Sequence, residues 1–331
     1  MVRVVDGSVR PDGATIAAFL GVAVLGGLNT IAVKVAVAEL EPLWGSAGRF
    51  LVAGTLLALL VALTRRPMPR GRSLLGAALY GAVAFTGSYA LLSTALLSAT
   101  AGTVAVFLAL VPLETFGLAT LLGQEPFRAR GLVGAAIALV GVAVVMGDQL
   151  GGDTPLATFG LILAGTLFIA AGGVLLKWIP RADPYATNGV AMLSGATLLL
   201  ALSALAGDPW VVPTSAGTWL AMTYVTVLGS IGLFGLYLFA VRRWTASAVS
   251  YATLLMPLVA VPLAAILVDE QVSLTFIVGA GVAVAGTYVG AFSRTRAKPS
   301  TATSAPECLP IEECPPAPAA AGARPALDPA S

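Results

Sequence analysis

The chain contains no histidine, and its only two cysteines, Cys308 and Cys314, lie near the C-terminus. The first absence removes Ser/His/Asp and Cys/His catalytic arrangements together with the usual histidine-based metal sites. The second leaves no disulfide framework and no thiol inside the apolar bulk of the chain. Cys308-x5-Cys314 has no further ligands around it, so no metal site is expected. Charge is scarce too: Asp, Glu, Lys and Arg make up 10% of the residues, against about 25% in soluble domains. Hydrophobic residues reach 58% and the mean hydropathy is +0.93. A chain of that balance reads as a polytopic membrane protein. An intramembrane enzyme would need a convergent nucleophile and base or a metal cluster, so no enzymatic activity is expected.

What is there is apolar sequence in ten runs, after a polar N-terminal segment at residues 1–13. The runs lie near 14–37, 43–64, 74–96, 101–123, 130–147, 158–178, 187–206, 216–240, 246–268 and 274–293. The breaks between them carry Pro, Gly or charge, as the ends of membrane helices should. The expected fold is an all-α integral membrane protein with one crossing helix per run. Glycines inside the runs, such as Gly131, Gly134 and Gly141 on the fifth, predict tight helix packing in lipid. The first run ends in Ala36-Val37-Ala38, superficially a signal-peptide cleavage site. That run is too long for an h-region and Lys34 falls just before the site, so a retained helix is expected. Residues 297–331 hold eight prolines and ten alanines in 35 positions, and read as a disordered cytoplasmic tail.

The basic residues set the orientation. With the N-terminus in the cytoplasm, the connections after the second, fourth, sixth and eighth runs and the C-terminal tail carry Arg65, Arg66, Arg70, Arg72, Arg128, Arg130, Lys177, Arg181, Arg242, Arg243, Arg294, Arg296 and Lys298. The opposite connections hold only acids: Glu39, Glu41, Asp148, Asp153, Asp208, Asp269 and Glu270. The positive-inside rule then places both termini in the cytoplasm of a multi-pass protein of the plasma (inner) membrane.

A shift of 145 residues lays Gly87 on Gly232, Ala101 on Ala246, Pro112 on Pro257, Glu125 on Glu270, Gly134 on Gly279 and Gly141 on Gly286. A Pro, a Glu and several Gly kept in one ungapped register indicate an internal repeat. Five helices per half is an odd number, which inserts the second half upside down. The expected domains are therefore two five-helix inverted-topology repeats, 14–147 and 158–293, an architecture of secondary transporters.

The segment GGLNTIAVKVAVAELEPLWGSAGRFLVAGTLL resembles the first two helices of the EamA-type transporters of the drug/metabolite transporter superfamily, through Asn29, Lys34, Pro42, Arg49 and Phe50. The run SYALLSTALLSATAGTVAVFLALVPLETFGLATLLGQE is similar to that family's third and fourth helices and ends in its Gly-x-Glu signature at Gly123 and Glu125. The second half is looser, with Asp269-Glu270 where Gly-Glu is usual. The resemblance spans about residues 14–293. It implies a secondary transporter of small polar or amphipathic metabolites, often an exporter of amino acids or related amines. Its cavity would be lined by helices one, three, four, six, eight and nine. It implies no cofactor and no nucleic-acid partner; the partners are a small-molecule substrate, the lipid bilayer and protons where flux is proton-coupled. The alternatives within the superfamily are a lipid or lipid-linked sugar flippase and a multidrug/cation exporter.

Several residues stand out without the resemblance. A helix from Ala101 to Gly123 covers roughly 33 Å, with Glu114 about 3 Å past its midpoint. A charged carboxylate near the membrane midplane costs roughly 2.5 kcal/mol or more, so Glu114 should face protein or a wet cavity, as a pathway or proton-relay residue. The alternative is an interhelical structural pair. Phe107 lies two turns earlier on the same helix. Thr86, Tyr89 and Ser93 fall at i, i+3 and i+7 on the third helix, and Thr226, Ser230 and Tyr237, with Phe234 alongside, make a similar stripe on the eighth. With Asn29 these groups make a pocket suited to an amphipathic solute carrying an amine. The alternative for the hydroxyls is bonding to backbone or between helices. Lys34 and Arg49 sit within about six residues of the outer connection and are expected to be structural, snorkelling outward or pairing with Glu39 or Glu41. Glu125 and Glu270 are read as helix-end or gate contacts. Pro112 and Pro257 occupy equivalent places, each freeing a backbone carbonyl, and are hinge candidates; static kinks are the other account.

Overall fold

In a bilayer each apolar run must close its own backbone hydrogen bonds, and a helix does so within one segment. A computed structural model describes residues 12–124, 127, 129–150, 154–180, 182–244 and 249–292. The N-terminal segment before Asp12, Glu125, and the tail with Cys308 and Cys314 lie outside the described residues. Every described element is helical: α1 (Gly13–Val37), α2 (Pro42–Leu63), α3 (Arg72–Ala95), α4 (Ala101–Leu121), α5 (Ala129–Leu150), α6 (Leu156–Trp178), α7 (Pro184–Ala206), α8 (Ala216–Arg243), α9 (Ala252–Leu267) and α10 (Leu274–Phe292). Seven of them, α1 to α4 and α6 to α8, are long and apolar enough to cross a membrane; α5, α9 and α10 contribute shorter apolar stretches.

Helix starts follow local chemistry. Asp12 accepts from Thr15 N at 2.9 Å, Thr100 Oγ1 from Thr103 N at 3.0 Å and Ser215 Oγ from Thr218 N at 3.1 Å. Each satisfies an otherwise orphaned N–H in a first turn. α7 stops at Gly207, whose φ of 75° suits glycine.

Three helices depart from a single regular course. α4 runs helically over Ala101–Leu108 and again over Val111–Leu121, not continuously from 101 to 123 as the apolar run suggests. Pro112 cannot donate to the Leu108 carbonyl, and its ring crowds that turn. At the break Ala109 N and Leu110 N bond three residues back, to Val106 O and Phe107 O. Pro257, aligned with Pro112 in the repeat, lies instead inside the uninterrupted α9 together with Pro262. The two prolines therefore do not have the same effect on the chain. α3 and α8 each contain a π-helical stretch, Gly81–Gly87 and Val227–Gly232. Both stretches end on glycines related by the 145-residue shift.

Helices pair across the two halves: α5 lies along α10, α2 along α7 and α1 along α9. The α5–α10 crossing uses the glycines of the repeat. A Cβ on Gly141 would stand 2.2 Å from Ala283 N, and one on Gly286 would stand 2.3 Å from Ala138 N. Only a residue without a side chain lets these backbones meet, as the glycine content predicts. An aromatic cluster joins α2, α3 and α8, with Phe50–Phe85 at 4.8 Å, Phe50–Tyr89 at 4.8 Å and Phe85–Phe234 at 4.6 Å.

The two ends of the bundle differ in charge. At the basic end Arg66 pairs with Asp183 at 3.1 Å and Arg243 with Asp12 at 2.9 Å, exposed pairs of small energetic weight. There Lys177 Nζ donates to Val241 O and Trp244 O, both at 2.6 Å, at the C-terminal end of α8. At the acidic end Lys34 Nζ donates to Leu96 O at 2.6 Å and Ala99 O at 2.8 Å, beyond the C-terminal end of α3. Glu270 accepts there from Ala101 N at 2.6 Å and Gly102 N at 3.1 Å, capping the start of α4. Glu39 accepts from the Thr214 and Ser215 backbone N–H groups and hydroxyls ahead of α8.

Candidate functional site

A cavity of about 100 Å³ lies among α1, α3, α4, α6, α8 and α9. Its wall is mostly apolar, with Val22, Leu92, Val104, Leu108, Ile169 and Met256. The polar part is Asn29 and Thr30 from α1, Tyr80, Ser88, Tyr89 and Ser93 from α3, Tyr237 from α8 and Thr253 from α9. Among the described residues no charged side chain lines it. Some of these hydroxyls are spent on their own helix, Thr30 on Gly26 O at 3.3 Å and Thr253 on Ser250 O at 2.6 Å, as membrane Ser and Thr commonly are. Others link helices. Ser93 Oγ lies 2.9 Å from Ser46 Oγ, and Asn29 Nδ2 donates to Tyr89 OH at 3.4 Å.

Of the residues singled out in the sequence, Asn29, Tyr89, Ser93, Phe234 and Tyr237 line this cavity, whereas Thr86, Phe107, Ser230 and Glu114 do not. Thr86 donates to Gly195 O at 3.1 Å on α7, and Phe107 is buried and stacks on Phe159 at 6.0 Å. The stripes scatter for one reason. Thr86 and Ser230 fall inside the π-helical stretches, whose wider turns rotate later residues away from a 3.6-residue projection.

Glu114 sits in the first turn of the second part of α4, where the helix dipole favours a carboxylate. Its Oε1 accepts from Thr166 Oγ1 on α6 at 2.9 Å. Its Oε2 is buried and, among the described residues, has no hydrogen-bond partner. The carboxylate thus packs between α4 and α6, one helical turn from the cavity residue Ile169.

The larger surprise is Arg49. The expectation of pairing with Glu39 or Glu41 fails for both embedded cations. Glu39 has a dense set of donors ahead of α8, and Lys34 reaches main-chain carbonyls instead. Arg49 lies two turns inside α2 and is 1% exposed. Its Nε and Nη2 donate to Ser230 Oγ at 3.2 and 3.1 Å, and Nη2 also to Asn29 Oδ1 at 3.3 Å and Gly229 O at 3.4 Å. Phe50 and Tyr89 flank the guanidinium, with ring centroids 4.5 and 4.6 Å from Cζ. The widened turn of α8 presents Gly229 O and Ser230 Oγ to it. At Gly229 a Cβ would stand 2.3 Å from Asn29 Oδ1. Counting residues from the helix end hid this placement, because it assumed that the side chain turns outward.

Among the described residues no group of three His, Cys, Asp or Glu is placed to hold a metal ion. The geometry is that of a small cavity with hydroxyl, amide and aromatic faces and a buried cation one side chain behind its wall.

The profile of the EamA-like transporter family matches the chain twice, over residues 13–147 and 157–291. The chain is 31% identical over 253 residues to the "Uncharacterized inner membrane transporter YedA" of Escherichia coli K12, covering 76% of this chain and 81% of that protein. It is 26% identical to a "Probable amino-acid metabolite efflux pump" of Salmonella typhimurium LT2, covering 82% of this chain and 92% of the relative. A solved crystal structure shares the fold with a TM-score of 0.65 at 17% identity, covering 86% of this chain and 99% of its own. The chain is a multi-pass membrane protein and a member of the EamA-like transporter family.

Proposed function

We propose that the protein is an exporter of small polar or amphipathic metabolites, amino acids and related amines foremost, which works by alternating access. In this reading ten membrane-crossing helices form two five-helix repeats of opposite orientation, 14–147 and 158–293, with both termini in the cytoplasm. The observation that carries it is the pair of lysine clamps at opposite ends of the bundle, Lys34 of α1 holding the end of α3 and Lys177 of α6 holding the end of α8. Each ties a helix end to a neighbour on one side only, so releasing one while keeping the other would open the cavity to a single side. The names of the efflux-pump relatives support the solute class.

Energy coupling is assigned to Glu114. Its Oε2 is buried and has no hydrogen-bond partner among the described residues, and α4 and α6 both contribute to the cavity wall. The break ahead of Pro112 is the hinge on α4, with Pro257 as the bend on α9. The test compares metabolite export from cells producing the wild type and Glu114→Gln, followed by flux in proteoliposomes under an imposed pH gradient. Wild-type flux that follows the gradient, and variant flux that does not, is the expected result. Equal, equally pH-driven flux in both removes Glu114 from the mechanism, and inert proteoliposomes across a broad solute panel remove the transporter reading itself.

A further inference from the structure

We propose that Arg49 is the counter-charge for an acidic group on the transported solute, so that the cavity selects carboxylate-bearing amphiphiles, zwitterions included, over simple amines. This rests on the transporter reading above and names the chemical class of its solute. A guanidinium keeps its charge at any physiological pH, and a buried charge is normally matched by an opposite one. Arg49 is 1% exposed, yet among the described residues its partners are all neutral: Ser230 Oγ, Asn29 Oδ1, Gly229 O and two aromatic faces. Nη1 is buried and has no hydrogen-bond partner among the described residues.

The place of the charge gives it a use. Asn29 and Tyr89 both touch Arg49 and both line the cavity. Among the described residues the wall carries no acid, and the buried carboxylate Glu114 is engaged with Thr166 and lies outside it. The field inside the cavity is therefore set by a cation one side chain away, in surroundings of low polarity where such a field is weakly screened. A solute carboxylate entering beside Asn29 and Tyr89 supplies the missing anion. A lone amine meets a like charge there and finds no acid. A structural role for Arg49 would be served as well by a neutral side chain of similar shape, since replacing buried ionic groups by apolar ones is often neutral or stabilising.

The experiment uses matched sets built on several amino acids: the free amino acid, its carboxamide and its decarboxylated amine. Detergent-purified full-length protein, as wild type, Arg49→Gln and Arg49→Lys, is titrated with each, and apparent affinity is read from the thermal transition. Flux of the same compounds is then measured in proteoliposomes. At least one free amino acid is expected to bind the wild type about tenfold or more tightly than its amide and amine. In Arg49→Gln that preference should vanish, and in Arg49→Lys it should persist in weakened form, since the charge remains while the fork geometry is lost. Should Arg49→Gln fail to fold, the wild-type comparison and Arg49→Lys still decide. Equal binding of acid and amide, preference for the amine, or no binding of any acid overturns the proposal. Acid-selective binding without flux of any compound upholds the site and refutes transport, so the two readings fail separately.

Discussion

Lys34 and Lys177 grip carbonyls that occupy the same place in the two halves: Leu96 and Ala99 for one, Val241 and Trp244 for the other. Both carbonyl pairs obey the 145-residue shift, although the lysines themselves are 143 apart (177 − 34). Hydrogen bonds to a charged donor are worth about 1.5–3 kcal/mol each, and about 1.4 kcal/mol is tenfold in a conformational equilibrium. Lys34→Met should therefore raise access to the cavity from the side of Glu39 and Asp208 by roughly tenfold, and Lys177→Met should do so from the opposite side. A cysteine at Ser93, with Cys308 and Cys314 replaced, reports this through its labelling rate with a membrane-impermeant thiol reagent applied from each side. Equal labelling of both variants from both sides would show that the clamps are not gates.

Thr166 and Glu114 make a second test, this one of stability. Glu114→Gln retains an oxygen to accept from Thr166, so its thermal transition should stay close to that of the wild type. Thr166→Val strips the carboxyl of the hydrogen bond from Thr166 Oγ1 and should cost about 1–3 kcal/mol. Thermal denaturation of both variants in detergent checks the order; a Thr166→Val protein as stable as Glu114→Gln would mean that the bond carries no weight.

The α5–α10 crossing predicts a contrast between neighbouring glycines. Gly141→Ala drives a methyl into the Ala283 backbone and should destabilise by about 1–3 kcal/mol. Gly147, on the same helix, has nothing within 4 Å of an added Cβ, so Gly147→Ala should leave the transition unchanged or slightly raised. Matching losses at both positions would exclude close packing as the cause.

Glu39 offers a pH dependence with a definite sign. Bonds from the Thr214 hydroxyl, the Thr218 hydroxyl and the Thr214 N–H lower its pKa from 4.5 to about 2. Because the folded value is the lower one, the stabilisation is complete above about pH 4.5 and is lost as pH falls through about 2. The difference in melting temperature between wild type and Glu39→Gln should be constant from pH 7 to about 5 and shrink progressively in more acid solution. A difference that grows on acidification would reverse the assignment.

The course of the helices was largely legible in the sequence, because apolar length, Pro and charge report directly on where a chain can cross lipid. The observed helices begin and end within a few residues of the runs, and Gly141 and Gly286 pack as their spacing implies. The site was legible only in part. Asn29 and Tyr89 reach the cavity, but a regular 3.6-residue projection cannot foresee that α3 and α8 pass through π-helical turns, so Thr86 and Ser230 fall elsewhere. Intramembrane cost drew attention to Glu114, which engages α6. The same cost applied equally to Arg49, and its significance stayed hidden because Glu39 and Glu41 offered a simple pairing, whereas Glu39 binds Thr214 and Ser215 instead.

The pairing of α1 with α9, α2 with α7 and α5 with α10 bears on how the protein is made. A ribosome delivers the first half before any of those later helices exists, so its small-residue faces must wait in the membrane without their partners. Assembly can be completed only after α10 has entered, and the two halves, synthesised as separate chains in one cell, should find each other through these same faces and restore the whole.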